Sequence, residues 1–225
     1  MIKQKEKGSL IVISGPSGAG KGSIIAKLME NGNKTRWLSV STTSRKIRSN
    51  DIPGVTYNFV SEEEFLEKIK EDYFLEYTNY SGNYYGTPKE HISDKLNNGI
   101  DVILEIEIEG ANNVKKIFPE AICIFIMPPS LKELVKRLKN RGTDTNEKIV
   151  ERFKRAYEEV NEVSKYNYVV VNNNLDEAIL KVEAIIKSEK CRVDRIEEVF
   201  LDTKEEEIHE LLMSNKEFVN EDINI

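Results

Sequence analysis

Leu10-Ile11-Val12-Ile13-Ser14 is an unbroken apolar run that ends in a glycine-rich turn. Three similar runs follow at residues 102–106, 121–127 and 168–171. A strand buried on both faces needs no polar alternation, so these runs predict the strands of a parallel sheet covered by helices. Between them the pattern turns helical. Ser130-Leu131-Lys132-Glu133 is a capping box that predicts a helix to about Asn140, and residues 174–189 carry apolar positions at helical spacing. Strand and helix in alternation predict an α/β core with right-handed crossovers.

Residues 36–98 break that rhythm. Short strands are expected at 37–41, 57–60, 74–78 and 83–86, with a helix from Ser61-Glu62-Glu63-Glu64, another capping box, to Lys70. This predicts a small mixed α/β lobe, about 36–98, inserted into a core of 8–35 and 99–195. Residues 137–155, rich in arginine and lysine, predict a helical lid whose two helices join through Gly142-Thr143-Asp144. From 196 to 225 an acidic C-terminal extension is expected, with a helix from Lys204 to about Leu212. No internal repeat or low-complexity linker interrupts the chain.

Composition narrows the classes. At 225 residues the chain suits one domain with inserted lobes. No run approaches the roughly 18 apolar residues of a membrane span, and residues 1–10 lack an apolar signal core, so a soluble, cytoplasmic protein is expected. Cys123 and Cys191 form no disulfide framework or metal spacing, and with only His91 and His209 a histidine-rich metal site is excluded. Cys123 is expected in the core and His91 on the surface. A net charge of −6 argues against general nucleic-acid binding, though it says nothing of local cationic clusters.

The chemistry starts at Gly15-Pro16-Ser17-Gly18-Ala19-Gly20-Lys21, a Gly-x-x-x-x-Gly-Lys match between a strand and a helix. Glycines let successive backbone N–H groups curl round a polyphosphate. The helix N-terminus adds positive dipole, and Lys21 sets a point charge on the β and γ oxygens. Position 22 is glycine where a hydroxyl usually follows the lysine, leaving Ser23 to orient magnesium-bound water or a phosphate. A nucleoside triphosphate site follows. No Asn-Lys-x-Asp reads guanine as in a GTPase, and residues 102–107 do not end in the Asp-Glu of motor ATPases. A small-molecule kinase with a second nucleotide lobe remains.

The segments 14–23, Ser39-Val40-Ser41-Thr42-Thr43-Ser44-Arg45, 80–88, Leu104-Glu105-Ile106-Glu107-Ile108-Glu109-Gly110 and Arg141-Gly142-Thr143-Asp144 occur in the order seen in guanylate kinases. From about residue 8 to 195 the chain resembles that family. The resemblance implies a P-loop three-layer core with a parallel sheet, an inserted mixed α/β GMP-binding lobe and a helical lid. It also implies ATP-dependent phosphorylation of GMP and dGMP, with Mg²⁺ accompanying ATP, in purine nucleotide metabolism and GMP recycling. ATP would lie on residues 15–23, with Asn172 near the adenine or lid. The family's phosphate clamp falls on Ser41, Arg45, Arg48, Tyr57 and Tyr85. Its base readers fall on Glu76 and Glu107, which accept from guanine N1–H and N2–H₂, and on Thr87 near O6. Guanidinium forks suit a dianionic phosphate, and a carboxylate facing N1–H discriminates against adenine, which has none.

The same resemblance makes Arg137, Arg141 and Arg152 the lid arginines that join Lys21 and Arg45 in catalysis. Glu105 stands where a carboxylate can hold magnesium waters. Departures are Glu107 and Glu109 for the family's Asp and Gln, Ser44 for a threonine, and Ser49-Asn50-Asp51 for Pro-Gly-Glu. Two rivals are a non-catalytic scaffold module of the same fold and a phosphotransferase acting on a ribose phosphate. The first typically loses the loop lysine and lid arginines, which are present here. Glu76, Tyr85 and Thr87 favour guanine over the second. No nucleic acid, membrane or obligate protein partner is expected.

Overall fold

The computed structural model describes residues 3–4, 7–31, 34–140, 146–193, 199–200 and 209–210. Residues Lys7–Glu189 form one compact unit. Its core is a five-stranded parallel sheet of β2 (Leu10–Ser14), β3 (Arg36–Ser39), β8 (Asp101–Glu105), β9 (Ile122–Met127) and β10 (Tyr168–Val171), in the order β10-β9-β2-β8-β3. All four continuous apolar runs are strands of this sheet. Successive side chains alternate faces, so each run feeds two cores. Ile11 and Ile13 pack with α1 (Lys21–Asn31) and α7 (Leu175–Glu189) through Ile24, Leu28, Ala178, Val182 and Ile186. Leu10 and Val12 pack on the other face with α3 (Ile92–Asn97) and α4 (Ile108–Ile117) through Ile92, Ala111 and Val114. Cys123 is buried in that second core, and His91 is exposed at the start of α3.

One strand differs from expectation. The segment assigned to the inserted lobe at 37–41 is β3, which pairs with β8 at Arg36↔Asp101 through Ser39↔Leu104 and completes the core sheet. Its leading arginine has a distant partner: Arg36 forms two hydrogen bonds of 2.7 and 2.6 Å to the Glu183 carboxylate on α7 and a third of 3.0 Å to Leu28 O on α1. Both ionic side chains are largely buried, at 8% and 14% exposure. Removing one partner strands the other, so Glu183→Ala should cost about 3 kcal/mol. For a chain of this size that is a fall of about 6–12 °C in thermal midpoint by circular dichroism. An unchanged midpoint would show that this pair does not fasten the edge strand.

After β3 the chain builds the lobe from β4 (Thr42–Thr43), β5 (Asn58–Phe59), β6 (Phe74–Tyr80), β7 (Asn83–Pro88) and α2 (Glu62–Lys70), in sheet order β5-β4-β7-β6. The Ser61–Glu64 capping box closes both ways, with Glu64 N–H donating to Ser61 Oγ at 3.1 Å and Ser61 N–H to the Glu64 carboxylate at 2.7 Å. Phe65 of α2 is fully buried, stacked on Phe74 and Tyr84 at 4.4 and 5.3 Å between centroids. At Ser130 only the forward half of the box is seen: Ser130 Oγ accepts from Glu133 N–H, while the Glu133 carboxylate turns to Arg137 Nε at 3.2 Å. An i,i+4 arginine outcompetes the uncharged cap for that carboxylate.

Helices α5 (Leu131–Asn140) and α6 (Asn146–Val160) follow β9. The expected turn at Gly142-Thr143-Asp144 and the expected helix from Lys204 to Leu212 lie outside the described residues, apart from His209 and Glu210, which are helical. In the second unit, β1 (Lys3–Gln4) pairs antiparallel with β11 (Val199–Phe200). Among the described residues no helix is long and apolar enough to cross a membrane.

Candidate active site

The loop between β2 and α1 rises from the C-terminal edge of the parallel sheet, where open α/β sheets place their ligands. Gly20 has φ +95°, and a Cβ there would sit 2.3 Å from Asn172 Nδ2, so only glycine fits. Asn172 follows β10, is 5% exposed, and donates from Nδ2 to Ala19 O at 2.8 Å. Arg137 comes from α5 to the same place, donating from Nη2 to Asn172 O at 3.0 Å and lying 3.5 Å from Ala19 O. These two residues therefore brace the loop from behind. Lys21, first residue of α1, donates from Nζ to Gly15 O and Pro16 O.

On the open side of the loop lies one cavity of 1190 Å³, wider than a single small-molecule site and able to take two nucleotides. Loop residues Pro16, Ser17, Gly18, Gly20, Lys21, Gly22 and Ser23 line one end. The fully buried Ala19 and the buried Gly15 lie behind them. The lobe supplies the other end with Ser41, Arg45, Arg48, Tyr57, Glu76 and Tyr85, while Glu105 and Glu107 reach in from the end of β8. From α6, Arg152 overhangs the loop, its Nη1 3.5 Å from Ser17 Oγ.

The acceptor clamp is held by a short acid. Asp51 pairs with Arg45 Nη2 at 3.0 Å and accepts the Arg48 N–H at 2.7 Å, tying the two arginines into one loop. The Arg45 guanidinium also donates to Lys46 O and lies 5.3 Å over Tyr57 and 5.5 Å over Phe59. Tyr57 in turn meets Tyr85 edge-on at 5.9 Å. Burial first, then the charges of Glu105, Tyr85 and Glu107, holds the Tyr57 phenol above its ordinary value, so its proton is present as a donor. Sequence reasoning did not single out Asp51; its signal was an acid three residues after Arg48.

Glu76 sits in β6, 7% exposed, with burial pushing its carboxyl up to about 7 and the Glu109 charge adding to the rise. Thr87 on the neighbouring strand opposes it, donating from Oγ1 to Glu76 Oε1 at 2.6 Å. Thr87 is fully buried and does not line the cavity, so its proton is given to Glu76 rather than offered to a base. Gly110 makes room for this carboxylate: a Cβ there would lie 2.6 Å from Glu76 Oε2. Thr78, two residues along the same face as Glu76, lines the cavity and was not singled out from sequence.

Among the sequence-derived candidates, then, the loop, Lys21, Ser23, Ser41, Arg45, Arg48, Tyr57, Glu76, Tyr85, Glu107 and Arg152 share one cavity wall. Asn172, Arg137 and Thr87 stand one layer behind it, each bonded to a wall or loop atom. Arg141 lies outside the described residues. Sequence reasoning missed Tyr80, Ser81 and Arg155, which also line the cavity, because nothing in local spacing joins a hairpin tip to a helix some 75 residues on.

The comparisons agree with this geometry. The family model for guanylate kinase matches residues 7–189. The guanylate kinase of Clostridium acetobutylicum is 52% identical over 205 residues, covering 91% of this chain and 97% of that protein. That of Clostridium tetani is 55% identical over 207 residues, covering 92% and 99%. The crystal structure of guanylate kinase from Anaplasma phagocytophilum superposes with a TM-score of 0.74 at 29% identity, covering 98% of this chain and all of that one. A phosphate loop and a buried carboxylate at opposite ends of one cleft, matched across the whole compact unit, place the chain in the guanylate kinase family.

Proposed function

We propose that this enzyme transfers the γ-phosphoryl group of ATP to GMP or dGMP in line, with ATP on the loop and the monophosphate in the lobe. The observation that carries the reading is the polarity of the cavity on the open side of the loop. Lys21 and Arg152 line it at the loop, and Arg45, Arg48 and the buried Glu76 carboxylate line it from the lobe. A phosphate oxygen of GMP attacks the γ-phosphorus, the bond to the β–γ bridging oxygen breaks, and ADP departs with that electron pair. The acceptor phosphate is already ionised near neutral pH, so no general base is required. Catalysis is positioning and electrostatics.

Each group has one task in that scheme. Loop N–H groups and Lys21 hold the β and γ oxygens, and Arg152 faces the charge on the transferred group. Ser41, Arg45, Arg48, Tyr57 and Tyr85 hold the GMP phosphate. Arg45 exchanges its Asp51 and Lys46 partners for phosphate oxygens, or shares them through its five donors. Glu76 and Glu107 accept from the guanine N1–H and N2–H₂, with Thr87 aiming Glu76. Arg137 and Asn172 act on ATP through the loop they brace.

Among the described residues no cluster of three metal-ligating side chains occurs. Magnesium in nucleotide kinases needs none, since it binds through substrate phosphates and water with one or two protein oxygens. Glu105 and Ser23 line the same cavity and fit that donor set. When bound, the ion supplies neutralising charge to the phosphates. A cytoplasmic location is proposed with these substrates.

An acceptor panel tests the assignment. With ATP as donor, GMP and dGMP should turn over, and AMP, UMP and ribose bisphosphate should be slower by at least about a hundredfold in kcat/KM. Preference for the ribose phosphate would replace the guanine reading, and no turnover with any acceptor would return the chain to a binding module.

A further inference from the structure

Helix α6 carries a second arginine one turn beyond Arg152, and neither the phosphate loop nor the acceptor clamp accounts for it. The Arg155 guanidinium lies over the Tyr80 ring, 4.3 Å from its centroid, and donates to Ser81 Oγ. Tyr80 ends β6, and Ser81 opens the two-residue turn to β7, where Ser81 and Gly82 have φ of +52° and +73°. Both central residues at positive φ make a tight hairpin turn with little freedom, so the Ser81 hydroxyl is held in place. One turn further along α6, Glu159 Oε1 lies 3.5 Å from the Tyr80 hydroxyl. The helix thus meets the hairpin at two successive turns.

Both ends of this contact lead to reacting groups. The hairpin carries Glu76 and Tyr85, and Tyr80 packs edge-on to Tyr85 with centroids 6.4 Å apart. Arg152, three residues before Arg155 and on the same helix face, overhangs Ser17 of the phosphate loop. Arg152, Arg155, Tyr80 and Ser81 all line the one cavity. A rigid helix fastened at the acceptor end fixes where its arginine falls at the donor end.

We propose that Arg155 is a positioning residue that locks α6 onto the acceptor hairpin through Tyr80 and Ser81, holding Arg152 in register between the two phosphates. The proposal rests on the phosphoryl-transfer reading above. It predicts that acceptor-side and donor-side groups are coupled through a contact that belongs to neither the phosphate loop nor the Arg45–Arg48 clamp.

The test is steady-state kinetics on the full chain, with ATP affinity measured separately by calorimetry. Arg155→Ala should lower kcat about tenfold at saturating ATP and GMP, while ATP affinity stays within about twofold. Tyr80→Ala should do the same, and the double variant should be no slower than the worse single one, because both remove one contact. Arg155→Lys keeps a cation over the ring but loses the guanidinium bond to Ser81 Oγ, and should fall between. Thermal midpoints close to that of the unmodified chain would confirm folded variants. An unchanged kcat in Arg155→Ala, or losses that multiply in the double variant, would overturn the lock. If the unmodified chain does not phosphorylate GMP, the functional reading fails instead, which the same assay separates.

Discussion

Lys21→Ala is expected to abolish phosphoryl transfer, by at least about a thousandfold in kcat, while GMP binding stays measurable by calorimetry. The size follows from what else is at that end of the cleft. Lys21 is the first residue of α1, at the positive end of the helix, and its ammonium turns into the loop against Gly15 O and Pro16 O. On the proposed reading it exchanges those carbonyl partners for the β and γ oxygens of a bound triphosphate. Arg137, a second cation near the loop, cannot replace it, since its guanidinium is committed behind the loop to Asn172 O. Arg152 approaches from the opposite wall, 3.5 Å from Ser17 Oγ. GMP, held by Arg45, Arg48 and Glu76 at the far end, should barely register the loss. Retained turnover would refute the assignment of this loop to ATP.

Much of this arrangement can be read from the chain before any coordinates, and the limit has a physical basis. Strands buried on both faces announce themselves as apolar runs, which is why β2, β8, β9 and β10 are legible. The edge strand β3 is legible as a strand but not as part of this sheet, because it is only four residues long and its sequence, Arg36-Trp37-Leu38-Ser39, begins with a charge. That charge is neutralised by Glu183, 147 residues away, a distance over which periodicity carries no information. The capping box of α2 is local and is recovered in both its bonds, whereas at Ser130 a competing arginine one turn on captures the glutamate.

The site divides the same way. Residues that belong to contiguous motifs come to the cavity wall, but a motif position does not tell which way a side chain spends its hydrogen bond. Thr87 is the clearest case. The family resemblance implies a hydroxyl near the base, yet antiparallel pairing of β6 with β7 sets Thr87 opposite Glu76, and the hydroxyl is consumed by the carboxylate. Asn172 and Arg137 likewise reach the loop by its back rather than its face. In each instance the residue is in the right neighbourhood and acts through another group.

Glu76→Gln should then have the second largest effect, and in two opposed directions. On the proposed reading the carboxylate accepts from the guanine N1–H and N2–H₂, and replacing one oxygen by an NH₂ sets donor against donor. GMP kcat/KM should fall about a hundredfold or more, and the preference for GMP over AMP should collapse with it. In the substrate-free enzyme the same carboxylate is a burden. Its pKa is raised to about 7 from 4.5, chiefly by burial, with Thr87 opposing that rise by its hydrogen bond. Between those two values the folded chain holds a proton that the unfolded chain has lost, so stability falls as pH rises from about 4.5 to about 7 and is level above. The fall is about 3 kcal/mol for a group this buried. Glu76→Gln removes the ionisation, so its thermal midpoint should exceed that of the unmodified protein at pH 8 and match it near pH 4. GMP donors favour the ionised form, so GMP affinity in the unmodified enzyme should strengthen as pH rises through about 7, and Glu76→Gln should lack that Glu76-dependent rise. Thr87→Val, which withdraws the side-chain bond that favours the charge and leaves the Thr87 backbone bond, should move that rise to higher pH. An unchanged GMP-to-AMP ratio in Glu76→Gln would remove this residue from base recognition; an unchanged pH profile would show that its burial is relieved before GMP arrives.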